Sequence, residues 1–252
     1  MKTLFYSLVL AFASGLCTLS AQTRVVAHRG FWNCEGSVEN SISSLVNAHK
    51  EKVYGSELDV IITADGIPVV HHDDSIQGMR IEEADYAQIK DLRLSNGEVL
   101  PTFESYLQTF STLPDIKLIV EIKPHLRIVN EDRAINAVVY LIQKYRLESR
   151  VDYISFSMNI CKELVERVPY ASVAYLNGEV SPADLKTLGM DMDYHYKVFE
   201  KHPTWIQEAK ALGVSVNVWT VNREEVMKSL IEQGVDFITT DKPADLNRLL
   251  NQ

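Results

Sequence analysis

Short β-branched runs alternate with amphipathic stretches along the whole chain, and that alternation restricts it to parallel strands joined by helices. Strand candidates fall at residues 24–28, 53–61, 117–122, 151–156, 172–176, 190–194, 214–220 and 235–239. Helical patterns lie between them at 41–50, 103–110, 132–145, 160–168, 182–188, 203–212 and 223–233, with a last one at 244–250. Eight strand-helix units match a (β/α)8 TIM barrel, for which about 250 residues is typical. The rival is a doubly wound open sheet, which needs a Gly-rich phosphate turn after its first strand. His28-Arg29-Gly30-Phe31-Trp32 offers none. The expected fold is therefore an α/β TIM barrel with an insertion after the second-strand hairpin. There residues 72–101 interrupt the alternation, with weak helical character at 82–92, and such loop-side insertions commonly shape a pocket.

Residues 1–21 read as a signal peptide: Lys2 is the charged start, residues 4–16 are mostly apolar, and Leu19-Ser20-Ala21 precedes Gln22 as a cleavage site. The apolar run is too short to span a bilayer well. Cys17 follows Leu16, which is larger than the small residue lipoprotein processing wants. The expectation is an exported protein, periplasmic or secreted, with no stable membrane span. Residues 22–252 form its single domain, since no linker or repeat divides them. Without Lys2 the chain keeps 24 basic against 34 acidic side chains, a net charge of −10. That balance argues against nucleic acid or an anionic membrane surface as partner. An anionic small molecule must then be attracted locally, by a cation or a few basic side chains. Cys34 and Cys161 are too few for a disulfide scaffold and are expected to be free, non-catalytic thiols.

The chemistry concentrates in residues 55–73. Strand side chains alternate faces, so Glu57 and Asp59 share one side, and such a pair stays ionised cheaply only beside a cation. Asp65-Gly66 is a strong hairpin signal; folding about it lays the following run antiparallel on the strand and brings His72 near Asp59. His71 faces the other way and reads as structural. Active sites of such barrels sit at the carboxyl ends of the strands. Those ends supply His28 and Arg29, Glu57 and Asp59, Glu121 and Lys123, and Asn217 and Trp219.

Taken singly, most of these have ordinary readings: a strand-end ion pair, a hydrogen-bonded histidine, a packed tryptophan. Their coincidence at one end of several strands argues otherwise. Three hard oxygen donors without cysteine suit one divalent cation, Mg²⁺ or Ca²⁺. An arginine and a lysine beside it describe a phosphate clamp. Two histidines add a general acid and base near neutral pH. Together they are equipment for splitting a phosphodiester.

The ordered blocks His28-Arg29-Gly30, Glu39-Asn40-Ser41, Glu57-Leu58-Asp59, Asp65-Gly66 through His72-Asp73, Glu121-Ile122-Lys123, Trp219-Thr220-Val221-Asn222 and Thr240-Asp241-Lys242-Pro243 resemble the glycerophosphodiester phosphodiesterase family. The resemblance runs from Val25 to about Pro243. It implies a metal-dependent barrel enzyme acting on small-molecule glycerophosphodiesters. Glu57, Asp59 and Glu121 correspond to its metal ligands, His28 and His72 to its catalytic pair, and Arg29 and Lys123 to its phosphate binders; Trp219 is carried as a substrate-binding candidate. It also implies a cyclic phosphate formed by the substrate's own glycerol hydroxyl and opened by water. The chain departs from the pattern at Val38, at Phe237 and in the stretch after His72-Asp73, changes that bear on the leaving alcohol. Two other readings use the same residues: a lysophospholipase D-like hydrolase with Phe31, Trp32 and Trp219 as an apolar surface, and a non-catalytic phosphoglycerol-binding barrel.

Overall fold

The computed structural model describes residues 22–251, so the signal-peptide reading of 1–21 lies outside the described residues. The strands are β1 (Arg24–Ala27), β2 (Gly55–Ile62), β3 (Pro68–Val70), β4 (Ser75–Ile76), β5 (Met79–Arg80), β6 (Lys117–Ile122), β7 (Val151–Ser155), β8 (Val173–Tyr175), β9 (Asp191–His195), β10 (Val216–Trp219) and β11 (Phe237–Thr240). The helices are α1 (Ile42–Lys50), α2 (Tyr86–Ile89), α3 (Phe103–Ser111), α4 (Ile128–Lys144), α5 (Met158–Arg167), α6 (Pro182–Leu188), α7 (Tyr196–Lys201), α8 (Trp205–Leu212), α9 (Glu224–Gln233) and α10 (Pro243–Leu250). The sheet runs β1-β11-β10-β9-β8-β7-β6-β2, and β2 pairs back onto β1. Eight parallel strands thus close into the expected barrel. The ninth, β3, is the hairpin return and lies antiparallel on β2 with Val60 opposite Val70.

Burial on both faces explains the strand composition. Every residue of β2 is buried, as a parallel strand under helices must be. The larger apolar cluster fills the space between barrel and helices, where Phe103, Tyr106, Leu107 and Phe110 of α3 are all fully buried. Burying each such side chain contributes about 1.5–3 kcal/mol. Inside the barrel a smaller cluster of Val26, Ile119, Ile154, Ala174 and Leu176 occupies alternate strand positions. Two residues beyond Val26 and Ile119, the same inward positions carry His28 and Glu121, described below, while those beyond Ile154 and Ala174 carry the apolar Phe156 and Leu176.

The structure differs from the sequence pattern in four places. Helix α4 begins at Ile128 rather than near 132; Ile128 and Val129 lie exposed, so the apolar period does not mark its first turn. The six-residue α7 has no apolar period; His195 caps it by accepting the Lys197 N–H. The stretch at 82–92 is a 3-10 turn at Ile81–Glu83 and the single turn α2, not one helix. The insertion packs on its own core of Ile61, Val69, Ile76, Ile81, Ile89 and Leu100, and buried Glu82 pins it by accepting from Leu126 N–H and Asn130 Nδ2. Finally, Phe237 is paired in register with Arg24 at the opposite end of the barrel from the polar groups. It packs on Tyr54 at 4.9 Å with the Arg24 guanidinium over both rings, closing the barrel floor. Phe237 therefore has no bearing on the leaving alcohol.

Candidate active site

Alternation turns Glu57 and Asp59 inward from β2, and the parallel register sets Asp59 beside Glu121 of β6. One oxygen from each of the three lies within 4.8 Å of the others. All three residues are buried, at 3%, 1% and 7% exposure. Glu57 Oε2 accepts the Arg29 N–H at 2.7 Å, while Oε1 has no partner. Asn40 grips Asp59 twice: its amide donates to Oδ2 at 2.9 Å and its oxygen accepts the Asp59 N–H at 3.1 Å. Arg29 and Asn40 both hold positive φ, at 54° and 56°, a conformation that side chains other than glycine adopt reluctantly. Between them Gly30 is obligatory, since a Cβ there would meet Ser44 Oγ at 2.3 Å. The Arg29-Gly30 turn thus presses the first loop onto α1 and aims a backbone donor at Glu57.

Burial, then the Asp59 and Glu121 charges, push the Glu57 carboxyl well above its ordinary range. Burial and Asp59 likewise push Glu121 up to about 8, against the pull of Lys123. Asp59 goes the other way: burial raises it, but Lys123, the Asn40 amide, His72 and Arg29 outweigh that and hold it low. Lys123 Nζ stands 3.2 Å from Asp59 Oδ1 and 2.9 Å from Glu121 Oε1, out of line for a hydrogen bond to the latter. Arg29 Nε is 3.5 Å from Asp59 Oδ2, and its other end pairs with Glu39. An oxygen-only set with an orphaned buried lone pair and two carboxyls driven toward protonation is short of positive charge. It fits a hard divalent cation.

Both histidines are held through Nδ1. His28 Nδ1 lies 2.7 Å from Asp241 Oδ1, which leaves Nε2 as the free ring nitrogen. Burial raises the Asp241 carboxyl, but His28, Asn222 and Trp32 together hold it below its ordinary range. The Asn222 amide donates to Asp241 Oδ2 at 2.6 Å and the Trp32 indole to Oδ1 at 3.3 Å. The β3 return carries His72 into place, with the His71 N–H donating to Asp59 O at 3.1 Å. His72 Nδ1 pairs with Asp73 Oδ1 at 2.7 Å, in a far more exposed setting than the first pair.

His28, Arg29, Glu57, His72, Glu121 and Trp219 line one cavity of about 110 Å³. Asp59 and Lys123 join it through their ion pairs, so the eight residues given metal, catalytic or substrate-binding roles meet at the carboxyl ends of the strands; Asn217, also read as a strand-end residue, instead sits in register with Phe237 and bonds Asp193 and Thr239. Trp219 forms a wall: its indole donates to Asp193 O at 2.9 Å, and its ring stands edge-on to Phe156 and His195. Sequence reasoning gave no role to Asp241 or Asn40. Both stand in quoted blocks, but a block does not reveal its partner, and Asp241 is 213 residues from His28. It also passed over Asp193, a buried carboxyl on the same cavity that accepts from Asn217 Nδ2 at 2.9 Å. The alternation Asp191-Met192-Asp193-Tyr194-His195 carried that signal. Of the other histidines, His125 Nε2 accepts the Ile62 N–H while its buried Nδ1 has no partner, and His202 stacks on Trp205.

The model of the glycerophosphoryl diester phosphodiesterase family matches residues 28–245. The chain belongs to that family. A crystal structure of a glycerophosphodiester phosphodiesterase from Parabacteroides distasonis is 47% identical, with a TM-score of 0.90 over 92% of this chain and 98% of that one. A glycerophosphodiester phosphodiesterase of Caldanaerobacter subterraneus subsp. tengcongensis is 28% identical over 245 residues, 92% of this chain and 99% of the relative. The fold is shared with an Oleispira antarctica phosphodiesterase solved with the product sn-glycerol-3-phosphate. That protein is 24% identical, with a TM-score of 0.80 over 92% of this chain and 98% of its own.

Proposed function

We propose that this family member hydrolyses glycerophosphodiesters to glycerol 3-phosphate and an alcohol. The observation that carries the reading is the single cavity onto which His28, His72, Arg29, Glu57 and Glu121 all open. Glu57, Asp59 and Glu121 would hold one divalent cation, Mg²⁺ or Ca²⁺, which when bound supplies Lewis-acid stabilisation of charge on the phosphoryl oxygens.

The protein's own groups do the rest. Arg29 and Lys123 bind and orient the phosphate. His28 Nε2 takes the proton of the glycerol 2-hydroxyl, whose oxygen then attacks phosphorus. The bond to the alcohol oxygen breaks as His72 donates its proton there, leaving a cyclic phosphate. In the second step His72 takes a proton from water, the water oxygen attacks phosphorus, and His28 returns its proton to the glycerol oxygen as the ring opens. Holding the nucleophile within the substrate makes the first step intramolecular, the most favourable use of positioning. This division of roles is supported by placement: His28 lines the inner cavity alone, whereas His72 also lines the larger cavity beside it.

A deacylated substrate is favoured over a lysolipid, because Phe31 packs against the barrel core and lines neither cavity. The leader pattern at 1–21 supports export, with action in the periplasm or outside the cell. Among the described residues no helix is long and apolar enough to cross a membrane. The test is turnover of glycerophosphodiesters with and without chelator, and in His28→Ala and His72→Ala, each expected to lose about 10²-fold or more. Full activity in excess chelator or in either variant rejects the proposal.

A further inference from the structure

The amino ends of the strands carry a cavity of their own, about 330 Å³, at the opposite end of the barrel from the catalytic groups. Small side chains make room for it: Ser172, Ala174 and Ser215 line it, where such barrels usually pack bulky branched residues. The rim residues Arg24, Lys117, Asp152 and Asp191 all reach solvent, so it opens at the floor. Their charges are already engaged. Lys117 Nζ lies 3.1 Å from both oxygens of Asp152, Arg24 lies over the Tyr54 and Phe237 rings, and Asp191 accepts from Ser172 Oγ and the Ser215 N–H.

Deeper in stands Asp193, the next inward position after Asp191 on β9 and only 1% exposed. Its Oδ2 accepts from Asn217 Nδ2, and its Oδ1 has no partner among the described residues. A buried carboxylate oxygen without a donor is costly. The lining as a whole sets Asp152, Asp191 and Asp193 against Arg24 and Lys117, which leaves it one positive charge short. A metal ion does not answer that need, because among the described residues only Glu57, Asp59 and Glu121 gather closely enough to hold one. Hydrocarbon does suit the walls, where Val26, Ile119 and Ile154 turn inward beside Asp193. We propose that the floor cavity is a second binding site, which takes a primary ammonium carried on a compact apolar body and pairs its nitrogen with the Asp193 carboxylate.

The test is calorimetric titration of the protein with hexylammonium and with hexan-1-ol, which have the same number of heavy atoms and differ in charge. Saturating Mg²⁺ or Ca²⁺ keeps the amine from the Glu57, Asp59 and Glu121 cluster, and pH 8 lies above the value of about 7 to which burial pushes the Asp193 carboxyl. Hexylammonium should bind one to one and about tenfold or more tighter than the alcohol, the effect of one charge-assisted hydrogen bond. Asp193→Asn should erase that preference. Ala174→Leu, which restores a bulky side chain on the floor cavity alone, should abolish binding of both probes while turnover persists. No binding to the parent, equal affinity for amine and alcohol, or a preference that survives Asp193→Asn overturns the inference. Undiminished binding in Ala174→Leu also overturns it, because the amine then sits on the catalytic side of Asp193, which lines both cavities. The comparison of the two probes on the parent needs no variant to fold.

Discussion

Asp241 Oδ1 lies 2.7 Å from His28 Nδ1, a contact made where the last strand of the barrel meets the first. It fixes His28 more firmly than Asp73 fixes His72, since the first pair is four-fifths buried, whereas Asp73 is largely in solvent and His72 is about two-fifths exposed. A carboxylate in this position holds the imidazole in one tautomer and orientation. Asp241→Asn should therefore lower kcat by about 10²-fold or more without changing the melting profile, while Asp73→Asn should cost less than about tenfold. Equal losses in the two variants, measured as kcat on a glycerophosphodiester, would contradict this asymmetry.

Metal removal has a signed consequence for stability. In the unfolded chain Glu121 loses its proton near the ordinary glutamate value, whereas burial beside Asp59 delays that loss to about 8 in the fold. Between those values the folded state binds more protons, so stability falls as pH rises; Glu57, also raised, adds to the slope. In excess chelator the melting temperature should drop from pH 5 to pH 8, and saturating Mg²⁺ or Ca²⁺ should reverse it by about 2.7 kcal/mol at a hundred times Kd. Glu57→Gln should melt higher than the parent in chelator at pH 8 and respond little to either ion. A flat profile in chelator contradicts the account.

Asp193 should leave a second, metal-independent slope of the same sign. Burial pushes its carboxyl up to about 7, only partly offset by the Asn217 hydrogen bond. Its stability cost develops as pH rises from the ordinary aspartate value through 7. Asp193→Asn should stabilise the metal-saturated protein by on the order of 1 kcal/mol at pH 8 and by less at pH 4. Calorimetry at the two pH values decides it; a larger gain at pH 4 would reverse the sign.

The two thiols of residues 22–252 are free and should separate by reactivity. Cys34 is exposed, while Cys161 is buried beneath the carbonyls of Ser155 and Ala174, and burial pushes its thiol up to about 12. A thiol reagent at pH 8 should label one cysteine quickly in the native protein and two in denaturant. Rapid labelling of both in the native state would contradict the burial of Cys161.

What was legible in the sequence was local. The Asp65-Gly66 turn and two-residue alternation sufficed to place Glu57 beside Asp59 and to return His72 toward them, because both are properties of a single strand and its hairpin. The parallel register that sets Asp59 against Glu121 needs only neighbouring strands. Closure itself followed from the count of eight units, but which side chains meet across it is different in kind. Asp241 reaches His28, and Phe237 reaches Tyr54, only because the ends of the chain are brought together by the packing of every unit between them. No local pattern reports that. Similarly, the insertion takes its form from Glu82 anchoring to Leu126 and Asn130, contacts that a helical period at 82–92 cannot anticipate.

The central claim is that Glu57, Asp59 and Glu121 hold one divalent ion within reach of both histidines. Anomalous diffraction from crystals soaked in Mn²⁺, a scattering stand-in for Mg²⁺, tests it most directly. The account predicts one peak bounded by oxygens of all three carboxylates, at about 2.0–2.6 Å, and its loss in Glu57→Gln. A cluster without a peak, or a peak held elsewhere in the barrel, would contradict it.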